Sequence, residues 1–257
     1  MSDLERVRVL VVGDSGVGKT ALTNLICHGA ALNNPGWTVG CSVEVKLHEY
    51  LEGTVNQKTY CIELWDIGGS HAHRNTRHVF YNVVHGIILV HDLSNRKSCL
   101  NLNRWLAEVT RCESGSGKFG SRGGGGGGTA AAWEDGNISG TDIGEVAIPL
   151  LVMGTKMDSA QEKRGLPTHQ KRSDIAEEFG VEEIHLNTGD PSGLAAGTSS
   201  AAKLTRFFDK VIEKQFTDSR RKGSLTHIQP TDRRRMEKVP SVLSDRTSSL
   251  QFSSVLH

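Results

Sequence analysis

The chain has 257 residues, with 30 Lys+Arg against 29 Asp+Glu, and this balance excludes a globally basic nucleic-acid binder. Its 29 glycines exceed what an ordinary core uses, and its 6 prolines exclude a collagen-like or proline-rich chain. The hydrophobic share of 37% supports one core but is lean for the full length, so part of the chain lies outside that core. Residues 6–12 read as a strand, running into Gly13-Asp-Ser-Gly-Val-Gly-Lys-Thr20 and then a helical stretch from Ala21 to His28. Residues 42–51 and 57–66 alternate around a turn near Gly53 and predict a hairpin. A helix is expected over 74–84, and the apolar run 86–93 predicts a strand buried on both faces. Residues 98–112 have helical spacing at Leu102, Trp105, Leu106 and Val109. Residues 148–153 read as another buried strand, and Pro167 opens a helical stretch to Phe179. A short strand over 183–187 precedes an amphipathic helix over 201–216, with Leu204, Phe207, Phe208, Val211 and Ile212 on one face. Such alternation predicts an α/β fold with a mostly parallel sheet.

Two stretches fall outside that pattern. Residues 113–144 carry twelve glycines, six of them consecutive, a composition too poor in apolar area to offset its ordering entropy. Residues 217–257 carry eight basic and four acidic side chains, leaving a net −3 on the remainder and disfavouring nucleic-acid binding. Both are expected to be disordered. The five cysteines show no CxxC spacing, so reduced thiols and a cytoplasmic location are expected. No signal peptide or membrane-length apolar run occurs. No cysteine follows Cys112 and residue 2 is Ser, so neither prenylation nor myristoylation, and no stable membrane anchor, is expected.

Residues 13–20 match G-x-x-x-x-G-K-[ST] in full, with a strand entering and a helix leaving. In such a loop the backbone N–H groups of Asp14, Ser15, Gly16, Val17 and Gly18 converge on phosphate oxygens at the positive end of the helix. Lys19 would neutralise the β and γ phosphates, and Thr20 would offer its hydroxyl to Mg²⁺. Asp66 ends a strand, where a carboxylate can hold Mg²⁺ through water. Gly69, three residues on, can donate its N–H to a γ-phosphate. In Gly154-Thr-Lys-Met-Asp158, the Asp158 carboxylate can accept the N1–H and 2-amino donors of guanine, a pair adenine lacks. Thr155 stands at the head of that motif, and the stem of Lys156 can lie over the base.

These residues resemble the Ras superfamily of small GTPases, and the phosphate loop with Trp65-Asp66 is similar to its Rab branch. Residues 206–214, the insertion and the missing terminal cysteines are similar to its Rab-like members. The resemblance covers 7–216 apart from the insertion. It implies a G domain over 1–216, a six-stranded mostly parallel sheet with about five helices, GTP/GDP and Mg²⁺ as cofactors, and two switch regions. Thr38 would be the switch I threonine, its hydroxyl on Mg²⁺ and its N–H on the γ-phosphate. Switch II would run from about Ile67 to Tyr81.

The chain also departs from that pattern. Thr155 replaces the family's usual Asn, and the late loop that closes over the base, expected near 187–190, is not recognisable, so weaker guanine affinity is expected. Ser70 stands where the family places a water-orienting Gln, and its short side chain implies slow hydrolysis. His71, His73 and His78 read as exposed polar residues rather than a metal site. Trp37, Trp65 and Phe80 fit either an effector-binding aromatic cluster or partial core packing. The expected partners are small-GTPase regulators, effectors or prenylation chaperones. The main expectation is a switch regulating signalling or trafficking; the alternative is a non-cycling, nucleotide-bound scaffold, in one form a homodimer.

Overall fold

The computed structural model describes residues 4–113, 148–164 and 172–225. One six-stranded sheet runs in the order β2-β3-β1-β4-β5-β6. Its strands are β1 (Arg6–Val12), β2 (Cys41–Tyr50), β3 (Lys58–Ile67), β4 (Gly86–Asp92), β5 (Leu150–Thr155) and β6 (Glu183–His185). The β2–β3 hairpin is antiparallel and every other pairing is parallel. Both β4 and β5 are buried at every position, which is why they read as continuous apolar runs rather than alternating ones.

The helices are α1 (Lys19–His28), α2 (Arg96–Leu100), α3 (Leu102–Glu113), α4 (Met157–Arg164), α5 (Asp174–Glu178) and α6 (Ser199–Leu225). One core cluster joins α1 and α6 to one sheet face through Leu22, Leu25, Phe207, Phe208 and Val211. A second joins α3 and α5 to the other through Leu102, Trp105, Leu106 and Ile175. Each fully buried Leu, Val or Phe among them contributes about 1.5–3 kcal/mol. Thr198 caps α6 by accepting the Ala201 N–H at 3.1 Å, a contact worth about 1 kcal/mol.

Four sequence expectations need correction. The helix over 74–84 is absent: two 3-10 turns, His71–His73 and Arg77–Phe80, take its place. Thr76 donates to the His73 carbonyl and Asn82 to the Val79 carbonyl, so side chains compete with regular helical bonding. The helix expected from Pro167 is shorter, beginning at Asp174 after Ser173 caps it, and 165–171 lie outside the described residues. Helix α4 was not expected, because among its described side chains only Ala160 is buried and it carries little apolar periodicity. Helix α6 runs past 216 to Leu225. The glycine-rich segment and the remaining tail lie outside the described residues. Cys27, Cys41, Cys61 and Cys99 are free thiols, and burial pushes the Cys41 thiol up to about 12. No described helix is long and apolar enough to cross a membrane.

Candidate functional site

The phosphate loop leaves β1 at Gly13 and enters α1 at Lys19. Gly16 and Gly18 take φ of 76° and 94°, left-handed values that let successive N–H groups turn into the same concavity. Asp14 and Gly18 are half-buried, Ser15 and Gly16 exposed, and Val17 buried. The Lys19 ammonium is 6% exposed and donates to the carbonyls of Gly13 and Asp14 at 2.9 Å each. Burial lowers its pKa to about 8, partly offset by the carboxylates of Asp66 and Asp14.

Three oxygens meet beside it. Thr20 Oγ1 donates to Asp66 Oδ2 at 2.5 Å, Thr38 Oγ1 donates to the same oxygen at 3.0 Å, and the two hydroxyls lie 2.9 Å apart. Asp66 Oδ1 is buried with no hydrogen-bond partner. Burial pushes the Asp66 carboxyl up, opposed by Thr20, Lys19 and Thr38. Two hydroxyls and one carboxylate, whose second oxygen is buried and unsatisfied, form a hard-donor set suited to Mg²⁺, which keeps much of its water and takes few protein ligands.

The segments carrying Thr38 and Gly69 close onto this loop. The Gly68 N–H donates to the Gly40 carbonyl at 2.9 Å, extending the β2–β3 ladder to the site. A Cβ at Gly69 would fall 2.5 Å from Ser15 N and 2.6 Å from Gly13 O, so only glycine fits this approach. Ser70 caps the first 3-10 turn, its hydroxyl accepting from Ala72 N–H at 3.3 Å. His71, His73 and His78 are exposed. Trp37 is 89% exposed, whereas Trp65 and Phe80 pack partly against the second core. The aromatic trio is therefore split, with Trp37 alone facing outward.

A network that sequence reasoning missed joins this site to α3. Asp14 accepts from Asn101 Nδ2 at 2.7 Å and from Trp105 Nε1 at 2.9 Å. Arg77, 4% exposed, lies 4.2 Å above the Trp105 ring and forms a bidentate pair with Glu108 at 3.1 and 3.0 Å. Its remaining nitrogen donates to the Gly68 and Ser70 carbonyls at 3.4 and 3.3 Å. Trp105 showed only as an apolar helix position in the sequence, and nothing there ties its indole N–H to Asp14.

At the other end, Thr155 is fully buried. Its hydroxyl donates to the Val17 carbonyl at 2.5 Å and lies 3.0 Å from the His91 carbonyl. It thus braces the phosphate loop from behind. Lys156, at φ 56°, pairs with Asp92 at 2.9 Å. Burial works to raise the Asp92 carboxyl, but Lys156 and Ser94 hold it below its ordinary value. Asp158 is exposed in the first turn of α4. The 187–190 loop sits beside it: Met157 N–H donates to the Leu186 carbonyl at 3.3 Å, and Asn187 Oδ1 accepts from Gly189 N–H at 2.8 Å.

The described strands and this crevice have the architecture of a P-loop GTPase. The family model described as Ras of Complex, Roc, domain of DAPkinase matches residues 8–118. Rab-like protein 3 of Mus musculus is 47% identical over 220 residues, covering 84% of this chain and 88% of the relative. The chain belongs to the Rab-like protein 3 family of small GTPases. Homo sapiens Rab-like protein 3 gives the same identity and coverage. A more distant relative, Arabidopsis thaliana Small GTPase LIP1, is 31% identical over 229 residues, spanning 82% of this chain and 60% of the relative. Small GTPases bind GTP and GDP with Mg²⁺, hydrolyse GTP and answer to regulators and effectors, and membership carries those general properties here.

Proposed function

We propose that the chain is a guanine-nucleotide switch that hydrolyses GTP slowly and passes its state to proteins reading the segment around Trp37. The convergence of Thr20, Thr38 and Asp66 carries this reading, because it draws the switch threonine into the same oxygen set as the phosphate loop. Thr20, Thr38 and Asp66 would hold Mg²⁺, which supplies charge neutralisation to the phosphates when bound. Lys19 and the N–H groups of residues 14–18 would bind the phosphates, and the Gly69 N–H would face the γ-phosphate. Asp158 and the Lys156 stem would take the guanine.

Ser70 supports slow turnover. Its hydroxyl is committed to the Ala72 N–H, and it is too short to bridge an attacking water and a phosphate. Catalysis then rests on binding and electrostatics, and cycling depends more on exchange. The partners proposed are regulators, effectors or prenylation chaperones of small GTPases, met through exposed Trp37 and Val39, in signalling or trafficking.

A non-cycling scaffold is the second reading. The observation favouring it is Arg77, which ties the switch II carbonyls to α3 through protein contacts alone. Nucleotide content as purified, with its exchange measured with and without Mg²⁺, separates the two, and affinity purification of wild type beside Lys19→Ala tests whether partner binding follows the nucleotide. The switch reading expects guanine nucleotide and partner to be lost together. A partner retained by nucleotide-free Lys19→Ala would contradict it, and tightly held nucleotide that does not exchange even without Mg²⁺ would favour the scaffold.

A further inference from the structure

His91, Gly154 and His185 are direct lateral neighbours on β4, β5 and β6. Adjacent strands lie about 4.8 Å apart, so the two histidine backbones are separated by a full strand. Their rings nevertheless approach to 6.3 Å between centroids. Gly154 makes this approach feasible, because a Cβ there would lie 2.9 Å from His185 Cδ2. Glu183 precedes His185 by two residues and so shares its face of β6.

The three side chains form one compact set. His91 Nε2 lies 3.3 Å from Glu183 Oε1, and His185 Nε2 lies 2.9 Å from the same oxygen. One donor atom from each residue falls within 4.8 Å of the other two. The side chains of His91 and Glu183 are 5% and 4% exposed, while that of His185 is 19% exposed and leaves an entry. The second carboxylate oxygen accepts the Ser173 N–H at 2.8 Å, which fixes the carboxylate plane.

Hydrogen bonding accounts for this arrangement only in part: His91 Nε2 bonds the Glu183 carboxylate at 3.3 Å. His185 Nε2 makes no aligned hydrogen bond despite its 2.9 Å separation from the carboxylate, and His91 Nδ1 is buried without any partner. Buried polar atoms are rarely left so. Two imidazoles and a carboxylate with one open side form a donor set that zinc takes, and ligand atoms around a tetrahedral zinc sit about 3.3 Å apart.

We propose that His91, Glu183 and His185 bind a zinc-class divalent cation that clips β4 to β6 behind the guanine motif. The site is separate from the oxygen set at Thr20 and Asp66, whose hard donors favour Mg²⁺. Its position suits a brace for the base end: Gly154 leads directly to Thr155, and His185 to the 187–190 loop.

The test is equilibrium dialysis of the full chain against Zn²⁺ in excess Mg²⁺, beside His185→Asn, Glu183→Gln and a His71/His73/His78→Ala control. Wild type and the switch-histidine control should each bind one more Zn²⁺ than His185→Asn or Glu183→Gln. At a hundredfold excess over Kd, Zn²⁺ should raise the wild-type melting temperature by about 5 °C or more. Co²⁺ substituted into wild type and into the switch-histidine control should give visible d–d absorption that Zn²⁺ displaces, a readout independent of how the site variants fold. Equal Zn²⁺ binding by wild type and His185→Asn, or Co²⁺ absorption that vanishes in the switch-histidine control, would overturn the assignment.

Discussion

The two ends of the crevice are built on different terms. At the phosphate end, each motif side chain meets a partner its chemistry calls for: Lys19 on two loop carbonyls, and Thr20 and Thr38 on Asp66. At the base end, the motif's first side chain turns away. Thr155 spends its hydroxyl on the Val17 and His91 carbonyls, and a largely buried His–Glu–His set, with His185 partly exposed, stands behind it. The contrast teaches that the proposed phosphate end is built from the motif's own side chains, whereas the proposed base end is braced by residues outside the motif.

The comparison breaks first if the phosphate end is dispensable. Lys19→Ala removes charge-assisted contacts worth about 1.5–3 kcal/mol each, so GDP affinity should fall about 1,000-fold in a fluorescence titration. A loss below tenfold would mean that the base end carries the binding. The same lysine gives a pH signature. Its folded pKa of about 8 lies below its ordinary 10.5, so the unfolded chain holds the extra proton between those values. Nucleotide-free stability should therefore rise from pH 8 to 10.5, by about 3 kcal/mol in total. Denaturant melts of wild type against Lys19→Met read this difference, and a flat difference would show that the ammonium is not buried.

Arg77→Ala sharpens the link from switch II to α3. It strips Glu108 of its bidentate partner and leaves the Gly68 and Ser70 carbonyls without that donor. A loss of about 3 kcal/mol in denaturant melts is expected. Thr155→Val tests the brace at the base end, leaving the Val17 carbonyl without its hydroxyl donor. About 2 kcal/mol should be lost, and Thr155→Ser should recover most of it. No loss in Thr155→Val would place Thr155 outside the loop's support.

Much of this was legible in the sequence, for identifiable reasons. Motif and flanks placed residues 13–20 and the strand ends at Asp66 and Thr155 in the sequence, and the structure brings Thr20 and Asp66 together, whereas the Thr155 brace on Val17 was not legible. The apolar runs of β4 and β5 and the face of α6 were equally plain. Helix α4 was not, because among its described side chains only Ala160 is buried, and the 3-10 turns at 71–80 were misread because side-chain bonds displace helical ones there. Arg77, Glu108 and Trp105 act through contacts spanning tens of residues and resemble ordinary helix positions in sequence. The histidines show the same limit. The cluster at 71–78, conspicuous by spacing, is exposed, while His91 and His185 are 94 residues apart and meet only because β5 places Gly154 between them.

The measurement that tests the central claim most directly is single-turnover GTP hydrolysis in Mg²⁺, comparing wild type with Ser70→Gln and Ser70→Ala. A slow switch predicts a low wild-type rate, unchanged in Ser70→Ala and raised about tenfold in Ser70→Gln. Fast wild-type hydrolysis abolished by Ser70→Ala would contradict it, by making Ser70 itself the group that positions the water.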